Sequence, residues 1–193
     1  GYVLEPSPSL TGRFVAFTFV LPGGTAQVYR YDQLTETIKL VSTTPTNQNG
    51  NSHSLHPAIS GDGRFVAFAS NASDLITNDS NGYADVFVRD LLMDTTTRVS
   101  VTTTGAQAPE ASGTESTTTD LLLTLGVAIS TDGQRVAFSS NARLDEADTN
   151  TDADIYLADR GDDTLQLMSI RTGTTVPLDR CEHPSINGRG DSI

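Results

Sequence analysis

Pro57-Ala58-Ile59-Ser60-Gly61-Asp62-Gly63-Arg64-Phe65-Val66-Ala67-Phe68 decides how this chain is read, because three more stretches resemble it. The first copy is Pro8-Ser9-Leu10-Thr11-Gly12-Arg13-Phe14-Val15-Ala16-Phe17, which reads as two residues shorter at the turn. The third is Ala128-Ile129-Ser130-Thr131-Asp132-Gly133-Gln134-Arg135-Val136-Ala137-Phe138, and the fourth runs from Pro184 to Ile193. Each copy reads as a short strand, a tight turn and a second strand. Glycine suits such a turn because it takes φ > 0 without steric cost. The turn glycines Gly12, Gly63, Gly133 and Gly190 stand 51, 70 and 57 residues apart. Self-similarity at such a period is the mark of a repeat architecture.

The repetition continues downstream. Gln27 to Asp32, Asp85 to Asp90 and Asp154 to Asp159 are one strand seen three times, each ending in an aspartate at a turn. A fourth strand follows at Thr37 to Ser42, Thr97 to Val101 and Leu165 to Ile170. Four short strands per unit, in up-and-down order and repeated, predict an all-β chain of β-propeller blades. The stretches Phe65-Val66-Ala67-Phe68-Ala69 and Val136-Ala137-Phe138 are apolar on both faces. Alternation would mean one wet face, so these strands belong to sheets covered on both sides, as when blades stack.

The pattern Pro-x-Ile-Ser-x-Asp-Gly-Arg-x-Val-Ala-Phe, followed by Asp-x-Tyr/Phe-x-x-Asp, resembles the WD40-like (PD40) blades of TolB-type β-propellers. The longer form, with Asn71-Ala72-Ser73-Asp74-Leu75, Asp79-Ser80-Asn81-Gly82 and Asp85 to Asp90, is similar to repeats of secreted bacterial propeller proteins. The resemblance covers nearly the whole chain. It implies three four-stranded antiparallel blades and the start of a fourth. The expected boundaries are an N-terminal tail or strand over 1–7, blade 1 over 8–54 and blade 2 over 55–126, with a Thr/Ser-rich loop at 102–119. Blade 3 is expected over 127–182 and the start of blade 4 over 183–193. For function the resemblance implies only a range, from docking platforms to accessory domains of exoenzymes and structural modules.

Composition narrows that range. The 193 residues carry 24 Asp and Glu against 12 Lys and Arg, a net charge of −12, and Lys39 is the only lysine. Nucleic acid and anionic membrane surfaces need clustered positive charge, so neither is expected as a partner. The longest apolar cluster, Leu121-Leu122-Leu123, is far short of a membrane span, so no membrane insertion is expected. Aromatics are 6% and tryptophan is absent, which leaves the core to Val, Ile, Leu, Phe and Ala. Cys181 is the only cysteine, so no disulfide closes within the chain; a buried thiol or an intermolecular bridge are its two readings. Acidity and resemblance together point to an extracellular or periplasmic setting. There is no initiating Met, and Gly1 reads as a processed or truncated start.

The best site candidates are two acidic loops before the third strand. One holds Asp79, Asn81 and Asp85, the other Asp148, Asn150, Asp152 and Asp154. Alternating oxygen side chains are what calcium requires, because the ion takes 6–8 hard oxygen ligands. The bidentate Glu that closes many such loops is missing, and Asx side chains also bond their own backbone in turns. If calcium binds, the second loop, with more carboxylates, is the tighter site. Asn71 and Asn78 begin N-glycosylation sequons but read first as structural turn asparagines, and the threonine-dense linkers 43–54 and 102–119 read as solvent loops open to O-glycans. His53, His56 and His183 lack metal spacing, and His56-Pro57 matches His183-Pro184 as a blade feature. No Gly-x-Ser-x-Gly elbow exists, and adjacent Cys181 and Glu182 would point to opposite faces of a strand. Arg189-Gly190-Asp191 spells an adhesion tripeptide but falls on the repeat's own turn.

Propellers close with 4–8 blades, so three and a fraction leave open edges and faces. The expectation is therefore a non-catalytic extracellular scaffold. Its partners would be other copies, handing strands head to tail into a filament, or further blades of one longer chain. The alternatives are the propeller part of a larger secreted exoenzyme and a module that binds protein or glycan.

Overall fold

A computed structural model describes residues 1–108, 126–170, 178, 181 and 183–193. Residues 109–119 of the Thr/Ser-rich stretch, the Leu121–Leu123 cluster and Glu182 lie outside them. Among the described residues, twelve strands form three four-stranded antiparallel sheets. Blade 1 is β1 (Tyr2–Pro8), β2 (Phe14–Val20), β3 (Ala26–Asp32) and β4 (Thr37–Leu40). Blade 2 is β5 (Ser54–Ile59), β6 (Phe65–Ser70), β7 (Asp85–Asp90) and β8 (Thr95–Arg98). Blade 3 is β9 (Val127–Ile129), β10 (Arg135–Ser140), β11 (Asp154–Asp159) and β12 (Thr164–Leu167). Spatial order follows sequence order in each blade, the simplest meander. No helix among the described residues is long and apolar enough to cross a membrane.

The turn between the first two strands is built identically four times. The N–H groups of Gly12, Gly63, Gly133 and Gly190 donate to the carbonyls of Ser9, Ser60, Ser130 and Asn187. All four glycines have φ between +73° and +75°. The turn of the first copy is therefore not shorter. Pro6, not Pro8, is the counterpart of Pro57, and Tyr2–Pro8 is blade 1's own first strand rather than a tail. What hides the match is a second proline, Pro8, two residues beyond Pro6; the bulge itself is shared. β1 slips register between Leu4 and Ser7 and β5 between Leu55 and Ala58. The bulge residues Glu5 and His56, and His183 at the matching place in the fourth copy, share φ of 52–56°. The last turn, Asn187–Gly190, is present, while its flanks form no strand among the described residues.

Stacking follows one rule. Side chains alternate across a strand, so Val66 and Phe68 on β6 point one way and Ala67 and Ala69 the other. The bulky face of blade 2 (Val66, Phe68, Phe87) packs on the small face of blade 1 (Ala16, Val28). The bulky face of blade 3 (Val136, Phe138, Tyr156) packs on the small face of blade 2 (Ala67, Val86, Val88). Hence every residue of β6 and β7 is buried, as two-sided apolarity requires. The turns are tied across blades as well. Leu10 N–H donates to Gly61 O, Gly61 N–H to Thr131 O and Thr131 N–H to Gly188 O, at 3.2, 2.8 and 2.9 Å. The linker after β4 is less solvated than its threonine content implies: Thr43 and Thr44 are buried, and Asn51 bonds Asp74 and Ser73 of blade 2.

Candidate functional site

One buried position, repeated in each blade, organises both acidic loops. It is the second residue of β3 and the first of β7 and β11: Gln27, Asp85 and Asp154, all nearly inaccessible. A serine just beyond the fourth strand meets each one. Ser42 donates to Gln27 Oε1 at 2.6 Å and Ser100 to Asp85 Oδ1 at 2.6 Å, while Ser169 donates to Asp154 Oδ1. The same hydroxyls accept the N–H groups of Val28, Val86 and Ile155, each at 3.0 Å. The column itself is legible in the sequence, as the first position of the repeated third strand; its serine partners are not.

The second oxygen or nitrogen of that side chain fares differently in each blade. In blade 1, Gln27 Nε2 donates to Thr25 Oγ1 and to the carbonyls of Gly50 and Ser52. In blade 2, Asp85 Oδ2 lies 3.3 Å from Arg98 Nη1 and accepts from Gln107 Nε2 at 3.3 Å and Asn81 Nδ2 at 3.4 Å. Arg98 also lies 3.5 Å from Asp79 Oδ1, which Gln107 bonds at 2.8 Å. The candidates Asp79, Asn81 and Asp85 thus converge, but on a guanidinium and an amide. Burial pushes Asp85 up, and Ser100 and Arg98 oppose it.

Blade 3 brings Asp148 and Asp154 into the interior and leaves Asp152 exposed at the rim. Asp148 Oδ2 accepts the Tyr156 hydroxyl at 2.6 Å, and its Oδ1 accepts the Asn150 N–H at 3.2 Å. Burial, then Asp148, push the Tyr156 phenol well above its ordinary range. Asn150 Oδ1 accepts from Asp152 N–H at 2.6 Å, an Asx turn of the kind the sequence allows. Asp154 Oδ2 is buried and accepts no hydrogen bond among the described residues. Burial drives its carboxyl up, the charges of Asp148 and Asp152 push the same way, and Ser169 and Asn150 oppose them. No three Asp, Glu, His or Cys side chains among the described residues already surround a common point.

The remaining candidates are scattered. His53 Nδ1 accepts the Ala26 N–H, and His56 pairs with Glu5 at 2.7 Å, so the two do not converge. Asn71 is half-buried and Asn78 exposed. Cys181 is half-buried, and its N–H donates to Ala153 O. Arg189-Gly190-Asp191 does sit on the fourth copy of the repeat turn, where Asn187 Oδ1 accepts the Asp191 N–H. A groove of about 380 Å³ between the outer strands of blades 2 and 3 is lined by Thr97, Thr102, Thr103, Asp159 and Arg160.

Comparison with solved structures agrees with this geometry. TolB from Acinetobacter baumannii superposes over 98% of this chain at 16% identity, with a TM-score of 0.56. The β-propeller domain of the Trilobed protease from Pyrococcus furiosus covers 89% at 11% identity (TM-score 0.54), and the tricorn protease 98% at 13% (TM-score 0.56). The chain is built of β-propeller blades. At these identities the likeness concerns fold alone. The chain spans 36%, 43% and 14% of those three structures' lengths. No family model and no curated protein matches the sequence.

Proposed function

We propose that this chain is a non-catalytic propeller scaffold, extracellular or periplasmic, that works by docking one blade face on another. The observation that carries it is the bulky face of blade 1. By the register of β1 to β4, Val3, Val15, Phe17, Phe19, Tyr29, Tyr31 and Ile38 share that face. Tyr29 stacks on Phe17 at 6.0 Å and meets Phe19 edge-on at 6.2 Å. The counterparts of Phe17 and Tyr29 in blade 2, Phe68 and Phe87, are fully buried against the small face of blade 1. Blade 1's own set is only half-covered or exposed. Contiguous apolar surface of this kind marks an interaction site, and the two blade junctions in the molecule define what fits it: the alanine-lined face of another propeller blade.

That blade belongs either to a second copy, docked head to tail, or to further chain. A heterologous contact that does not close propagates into a filament. Light scattering with size-exclusion chromatography tests the assembling form. The expected result is mass that grows with concentration, and its loss in Phe17→Asp. A monomer at every concentration rejects self-assembly and leaves docking by blades of the same polypeptide, which a longer reading frame would show. The rival class, the propeller part of an exoenzyme, is favoured only if that frame carries a catalytic domain.

A further inference from the structure

The column Gln27, Asp85, Asp154 has a partner column on the neighbouring fourth strand. Leu40, Arg98 and Leu167 are the residues that register opposite Tyr29, Phe87 and Tyr156. Blade 1 combines a neutral amide with an apolar neighbour. Blade 2 combines a carboxylate with an arginine. Blade 3 combines the carboxylate of the second with the leucine of the first. Asp154 therefore has the charge of Asp85 without its counter-charge, and its Oδ2 is buried with no partner among the described residues. A second buried carboxylate, Asp148, adds to the imbalance: its carboxylate is met by the neutral Tyr156 hydroxyl and Asn150 N–H, while the Arg143 guanidinium bonds only its backbone carbonyl.

We infer that blade 3 binds a calcium ion between Asp154 and Asp148, where blade 2 carries the guanidinium of Arg98. An unpaired buried charge is costly, and a bound cation removes that cost. Calcium fits the donors: it takes hard oxygens in flexible geometry, and carboxylates, amide oxygens, backbone carbonyls and water all serve. The loop 148–152 presents Asn150 and Asp152 at the mouth, half-buried and exposed, where they complete the shell with water. An ammonium or guanidinium ligand is the poorer occupant, because the register puts the apolar Leu167 where blade 2 has the Arg98 guanidinium.

The test is calcium binding to chelator-stripped protein, followed by calorimetric titration and by thermal melting with and without calcium chloride. One ion per chain is expected, with a rise in Tm. Asp154→Asn, which keeps the shape and removes the charge, should weaken binding at least about tenfold, since ligand charge sets affinity in such sites. Leu167→Arg, which transplants the blade 2 solution, should abolish the calcium-dependent rise. Asp85→Asn should leave calcium binding intact. Absence of binding by the wild-type chain, or binding that Asp154→Asn leaves unchanged, overturns the assignment. The Asn variant decides the matter if the arginine variant does not fold.

Discussion

At the scale of single residues, the turn glycines separate two costs that usually come together. All four have φ near +74°, where a Cβ is strained by roughly 1–2 kcal/mol. Only some also face a neighbour. A Cβ on Gly12 would meet nothing within 4 Å, whereas one on Gly63 would fall 2.1 Å from the Phe14 ring and one on Gly133 2.3 Å from the Phe65 ring. Each ring is the floor on which the next blade's turn rests, and guanidiniums hold it. Arg13 and Arg30 lie over Phe14 at 4.7 and 4.5 Å, and Arg64 and Arg160 over Phe65, both at 4.6 Å. Arg30 and Arg160 also donate to the carbonyls of Gly63 and Gly133. Gly12→Ala should therefore cost only the backbone term. Gly63→Ala and Gly133→Ala should cost distinctly more, because turn and ring must separate. Urea denaturation of the three variants checks the order, and equal losses would show that the rings yield freely.

At the scale of the strand pair, an arginine after the turn is clamped to the aspartate that ends the third strand. Arg13 grips Asp32 through Nε and Nη2 at 3.1 and 3.0 Å, and Arg64 grips Asp90 at 3.0 and 2.6 Å. Arg135, one place further on, reaches Asp159 through Nε alone, at 2.8 Å. The same carboxylates cap the following turn by accepting from Leu34, from Leu92 and Met93, and from Gly161. These arginines hold Asp32 and Asp90 down to about 2. An unfolded aspartate titrates near 3.9. A depressed folded value means stability that is complete above about pH 4 and is lost as pH falls toward 2. Denaturation midpoints measured across that window should fall in the wild type, and fall less steeply in Arg64→Met, which starts lower. The sequence showed both halves of the clamp, an aspartate closing each third strand and arginines at strand ends, but not their union, which spans 19 residues in blade 1 and 26 in blade 2. It showed β6 plainly because burial on both faces leaves an apolar run, Phe65 to Ala69, and β7 because its pattern recurs. It obscured β1 because a second proline, Pro8, competes with Pro6 as the match to Pro57, and glutamate is not a residue that announces φ > 0. The acidic loops were legible as oxygen-rich. That Arg98 fills one of them was not, because the arginine comes from another strand, where blades 1 and 3 carry leucine.

At the scale of the whole molecule, equivalent residues occupy unequal surroundings, and that inequality is what the docking proposal turns on. Phe17 and Phe68 are the same residue of the same strand in successive blades, each stacked on the partner ring of its third strand at 6.0 Å. Phe68 is wholly enclosed by blade 1, whereas Phe17 lies on the face that no blade among the described residues covers. Truncating an enclosed phenylalanine costs about 3–5 kcal/mol, and a half-covered one far less, because the cost scales with the surface and packing lost. In dilute solution Phe68→Ala should thus be severely destabilising and Phe17→Ala mild. The turn ladder has the matching polarity: its links run from Leu10 to Gly188, so a further turn would offer an N–H to the Leu10 carbonyl at one end and a carbonyl to the Gly188 N–H at the other. If a blade docks on this face, the two substitutions must converge as it does. Stability of both variants measured from dilute to concentrated protein, or with the neighbouring blades restored to the chain, should show Phe17→Ala growing toward the cost of Phe68→Ala. A gap that stays constant under both conditions would mean that the aromatic face of blade 1 is a finished surface and not a seat for another blade.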